Sequence, residues 1–76
     1  MRIAIAEDVA LLREGIVRLL LERGHEVIAE ISDAREILKT AKELHPDLMI
    51  IDIRMPPTHT DDGLRAAIEV RTKISP

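Results

Sequence analysis

Apolar positions along this chain fall into short unbroken runs and longer stretches with helical spacing. Ile3-Ala4-Ile5-Ala6, within Arg2 to Ala6, and Leu48-Met49-Ile50-Ile51 are runs of strand length. A strand apolar on both faces belongs inside a parallel sheet with helices above and below. His25 to Ile31 is more polar and alternates, as expected nearer a sheet edge. Between these runs, Leu12, Ile16, Leu19 and Leu20 recur at helical spacing within Val9 to Arg23, and Gly24 supplies a stop. Val9, Val17 and Leu21 widen that apolar face beyond one stripe, so this helix is expected to be covered on more than one side. Asp33 with Glu36 predicts a capping box for a helix from Ala34 to about Leu44, with Ile37, Leu38, Ala41 and Leu44 inward. A third helix is predicted from Gly63 to about Lys73, with Leu64, Ala67 and Ile68 on one face and Ala66, Val70 and Ile74 on another. The order βαβαβα implies right-handed crossovers and a doubly wound parallel sheet of the α/β class, its three strands ordered 2-1-3.

Composition narrows the picture. Seventy-six residues make one small domain, burying about 60% of the surface its unfolded chain would expose. With no Phe, Tyr, Trp or Cys, the core has to be aliphatic, and neither disulfides nor thiolate metal sites are available. A net charge of −3 gives no electrostatic footprint for nucleic acid. No apolar run approaches membrane-spanning length and no signal peptide is evident, which fits a cytoplasmic protein without membrane contact.

The candidate chemistry lies where strands end. Glu7 and Asp8 follow the first strand, and Asp52 follows the third, just before Met55-Pro56-Pro57 forbids further regular structure. In the order 2-1-3 the ends of strands one and three flank the topological switch point, where open α/β sheets place their ligands. By itself, an acidic pair after a strand is more often a loop or helix-capping feature. Together, three carboxylates at one crevice repel one another and invite a hard divalent cation, with Mg²⁺ the expected one. A carboxylate beside such a cation is suited to accept a phosphoryl group. His25, His45 and His59 share no metal-ligand spacing and read as surface residues; Gly15 reads as a packing glycine and Met49 and Met55 as core or loop filling.

Glu7-Asp8 after the first strand, Asp52 after the third and Asp-x-x-Met-Pro at 52–56 resemble the receiver domain of bacterial two-component response regulators. Ile-Ala-Glu-Asp, Leu-Leu-Arg-Glu-Gly, Pro-Asp-Leu and the stretch from Arg54 to Ala67 are similar in particular to the LuxR/NarL-type subfamily, which carries a helix-turn-helix output domain. The resemblance implies a flavodoxin-like fold and a non-enzymatic signalling role. It implies Asp52 as the residue phosphorylated by a sensor histidine kinase, with Glu7, Asp8, Asp52 and the main-chain carbonyl of Arg54 holding Mg²⁺. Transcription would be regulated by the intact parent.

Two features depart from that family. The loop after Pro56 is longer than the usual Met-Pro-x-x-Asp-Gly form and carries His59. The chain also stops after the third helix, so residues 1–76 read as a partial receiver without its fourth and fifth βα units. The Ser or Thr and the Lys that those units contribute in the family have no counterpart here. Strand three then becomes an edge, which predicts homo-oligomerisation through that strand or through uncovered helical faces. An alternative reading is a structural or dimerisation module without competent phosphotransfer. A haloacid-dehalogenase-type phosphatase wants a second Asp two residues beyond the nucleophile, and Arg54 occupies that position.

Overall fold

The computed structural model describes residues 1–73. Strands β1 (Arg2–Ala6), β2 (Glu26–Ile31) and β3 (Leu48–Ile51) alternate with helices α1 (Ala10–Glu22), α2 (Ile37–Leu44) and α3 (Asp62–Lys73). The sheet is parallel throughout, in the order β2-β1-β3. The expected fold is therefore the one found: a doubly wound α/β sheet of flavodoxin type, with β1 at its centre. Ile3, Ala4, Ile5 and Ala6 are all buried, as a central strand covered on both faces requires.

The main core joins sheet, α2 and α3. Ala6, Ile31, Ala34, Ile37 and Met55 are buried together, and Met49, Ile51, Ala66 and Val70 pack against them. Met55, which follows the β3 end by four residues, is a core residue that anchors the long loop. That loop has a cis Pro56–Pro57 peptide, and the Pro56 carbonyl accepts from the Ala34 amide at 3.0 Å. At the opposite end of the sheet, the Arg2 guanidinium donates to the carbonyls of Leu44 and His45, satisfying the last turn of α2.

Several details differ from expectation. The α1 face turned inward is Arg13, Ile16, Val17 and Leu20, whereas Leu12 and Leu19 are each 51% exposed. Residues 9–21 are apolar almost all round, so neighbours rather than periodicity decide which side is covered. The capping box is replaced by a 3-10 turn over Ala34–Glu36: the Asp33 carboxylate accepts from the Arg35 amide, and Glu36 makes no reciprocal bond. Leu38 is half-buried and Leu44 exposed. In α3 the packing face is Ala66 and Val70, Leu64 and Ile68 are exposed, and Ile74 lies outside the described residues. Gly15 packs against nothing, since a Cβ there would meet open space. Gly24 does end α1, at φ +83°. Its amide donates to Leu21 and that of His25 to Leu20, the two bonds of a Schellman motif.

β3 is the exposed edge of the sheet. None of its residues is fully buried, and Leu48 is 43% exposed. Beside it, between α2 and α3, lies a cavity of about 560 Å³, lined by Ala41, Leu48, Met49, Ala67 and Val70 among others.

Candidate functional site

Two ladder hydrogen bonds hold the acidic residues at the carboxyl rim of the sheet. The Glu7 amide donates to the Ile31 carbonyl at 2.9 Å, and the Asp52 amide donates to the Ala6 carbonyl at 2.9 Å. Glu7 and Asp52 therefore prolong β1 and β3 by one residue each, and Asp8 sits at the turn into α1. One ligand oxygen each from Glu7, Asp8 and Asp52 lies within 4.8 Å of the others. The three carboxylates, separated by up to 45 positions in the chain, share one pocket.

The surroundings leave their charge largely uncompensated. Glu7 is only 7% exposed, and its side chain accepts a single hydrogen bond, from the Val9 amide at 3.2 Å. Asp52 accepts one from the Arg54 amide at 3.3 Å. Among the described residues, no Lys or Arg forms a salt bridge with any of the three. The Arg13 guanidinium is close by, but it donates to the Glu7 main-chain carbonyl at 2.7 Å and faces Glu30 at 3.4 Å. A nearly buried carboxylate with one amide partner beside two more carboxylates is a costly arrangement unless a cation joins it. Its donors are all hard oxygens. With their oxygens within 4.8 Å of one another, the three carboxylates fit a hard divalent cation such as Mg²⁺, which they would hold directly or through water.

Three residues that the sequence does not single out shape this pocket. Arg13 ties α1 to the Glu7 backbone. Gly63 lets the start of α3 press against the loop after β3, its amide donating to the Ile53 carbonyl at 2.8 Å. His59, expected at the surface and outside any metal-ligand spacing, turns its Nε2 to Asp8 Oδ2 at 3.1 Å. Spacing along the chain signals neither Arg13 nor His59; the Asp-Gly pair at 62–63 is plain in the sequence, but its contact with Asp52 is not.

A family model of the response regulator receiver domain matches residues 3–75. The chain belongs to the receiver domain family. Among curated relatives, it is 40% identical over 72 residues to the transcriptional regulatory protein PdtaR of Mycobacterium tuberculosis, covering 95% of this chain and 34% of that protein. It is 30% identical over 69 residues to the chemotaxis protein CheY of Thermotoga maritima, covering 91% of this chain and 58% of CheY. Among solved structures, a LuxR-family two-component response regulator from Aurantimonas sp. SI85-9A1 superposes with a TM-score of 0.82 at 33% identity, over 93% of this chain and 49% of that one. The receiver segment thus spans between about a third and three-fifths of these relatives. No helix among the described residues is long and apolar enough to cross a membrane.

Proposed function

We propose that this receiver segment is a phosphoacceptor module of a two-component relay, with Asp52 taking the phosphoryl group from a sensor histidine kinase. The observation that carries this reading is the convergence of Glu7, Asp8 and Asp52 to within 4.8 Å at the switch point of the sheet. A carboxylate oxygen of Asp52 attacks phosphorus as the bond to the donor imidazole nitrogen breaks, giving an acyl phosphate and a free histidine on the kinase. Glu7, Asp8, Asp52 and the Arg54 carbonyl would hold Mg²⁺, which would supply positive charge to offset that of the phosphoryl oxygens. The Asp52 backbone, fixed by Ala6, presents its carboxylate at the rim, and buried Glu7 keeps negative charge where the cation is needed.

In this reading residues 1–76 supply the first three βα units of a receiver, the parent protein is a cytoplasmic, non-enzymatic regulator, and the subfamily is LuxR/NarL-type with a transcriptional output. This segment makes no nucleic-acid contact. The free β3 edge and the neighbouring apolar cavity support self-association of the segment, checked by sedimentation velocity; a purely 8.5 kDa species at all concentrations would remove that part.

Intact mass after incubation with acetyl phosphate and Mg²⁺ tests the central step. One added phosphoryl group, lost in Asp52→Asn, is the expected result. A folded chain that takes up none would leave only the structural-module reading, which the exposed β3 edge favours on its own.

A further inference from the structure

We propose that His59 is a positioning residue of the cation site, donating to Asp8 so that this carboxylate is held ready for the ion. The inference rests on the proposed reading of the acidic pocket and adds to it a residue from the long loop. His59 Nε2 lies 3.1 Å from Asp8 Oδ2, a contact between residues 51 positions apart. An ionised carboxylate only accepts, so Nε2 carries the hydrogen whether the ring is neutral or charged. The bond is the only one that the Asp8 side chain makes among the described residues, and it fixes one oxygen while leaving the other free.

The loop is built to aim this side chain. His59 takes the left-handed conformation at φ +59°, uncommon for a residue with a Cβ. Its amide donates to the Met55 carbonyl at 3.0 Å, and Met55 is fully buried. On either side, the hydroxyls of Thr58 and Thr60 share a hydrogen bond of 2.8 Å, and the Thr58 hydroxyl donates to Asp62 at the start of α3. His59 is therefore anchored through the core and through α3, and its ring crosses the rim to Asp8.

A direct metal bond is not what this geometry favours. The mutually close donor atoms come from Glu7, Asp8 and Asp52, and the imidazole stands outside that group. The side chains of His59 and Asp8 are 57% and 23% exposed, so the pair adds little stability by itself. Its consequence is orientational: a partner behind a ligating carboxylate fixes that ligand's plane, and losing such a partner typically costs 10- to 100-fold in metal affinity.

Mg²⁺ titration of the ¹⁵N-labelled chain, followed through the amide shifts of Asp8 and Asp52, tests this in wild type, His59→Ala and His59→Gln. His59→Ala should weaken Mg²⁺ binding by about tenfold or more with the fold unchanged by circular dichroism. His59→Gln, whose side-chain amide also donates, should recover most of the loss. Ala binding within about twofold of wild type, binding tighter than wild type, or a Gln variant as weak as Ala would each overturn the inference while the acidic site stands. A wild-type chain that binds no Mg²⁺ would overturn the site reading and this inference with it.

Discussion

Gly63 lies directly against the main chain of Asp52: a Cβ built on it would overlap the Asp52 carbonyl oxygen and fall 2.8 Å from the carbonyl carbon. The start of α3 therefore approaches the strand end that carries Asp52 at a distance that only glycine permits. Gly63→Ala improves helix propensity by up to about 1 kcal/mol, yet it must push α3 and the β3 end apart, and overpacking of this kind costs about 1 to 3 kcal/mol. The net expectation is a lower urea midpoint by circular dichroism, together with weaker Mg²⁺ binding because Asp52 moves. A variant as stable as wild type with unchanged Mg²⁺ affinity would show that the contact does not position Asp52.

Gly15 is the opposite case. It sits mid-helix in α1, and a methyl group added there would have nothing within 4 Å. Gly15→Ala should raise stability by about 0.5 to 1 kcal/mol, by restricting the unfolded chain without any steric cost. The same urea titration reads it, and a loss of stability would mean that α1 is covered at this point by another surface.

These two glycines mark where local sequence is informative and where it is not. The alternation of unbroken apolar runs with helical spacing was enough to order the strands, because parallel strands joined by right-handed helices leave few topologies. The carboxylates are legible for the same reason: the pair Glu7-Asp8 and the single Asp52 each follow an apolar run, and the switch point gathers such ends. What lay beyond reach depends on distance and cover. Leu12 and Leu19 fit the helical period as well as Ile16 and Leu20 do, and only the packed surroundings separate them. The partnership of His59 with Asp8 spans 51 positions, so no spacing rule could find it. The 3-10 turn at Ala34–Glu36 reflects Arg35 competing for Asp33, which a capping-box pattern does not anticipate.

Arg13 predicts a coupling between α1 and the site. Its guanidinium donates to the Glu7 carbonyl at 2.7 Å from a largely buried position. Removing a charged donor from such a carbonyl costs about 1.5 to 3 kcal/mol, so Arg13→Ala should lower the urea midpoint and broaden the amide resonances of Glu7 and Asp8. Arg13→Lys keeps the charge but not the planar fork, and it should recover only part of the loss. Full recovery with Lys would mean that charge near Glu30, rather than the bond to Glu7, is what matters.

The last prediction concerns acid. Hydrogen bonds from the Arg35 side chain, then from its amide, lower the Asp33 pKa to about 2 from an ordinary value of 3.8. The folded-state value lies below the unfolded one, so the unfolded chain binds this proton more readily. The ionised side chain therefore contributes its full stability above pH 3.8 and loses it as pH falls toward about 2. Because the pair is exposed, its share should be small and salt-sensitive. Carboxyl ¹³C shifts should place the Asp33 midpoint near 2 in wild type, and Arg35→Ala should return it toward 3.8. Asp33→Asn should flatten the urea midpoint across that window relative to wild type. An Asp33 midpoint near 3.8 in the folded wild type would mean that the ring of bonds closing the 3-10 turn does not persist in solution.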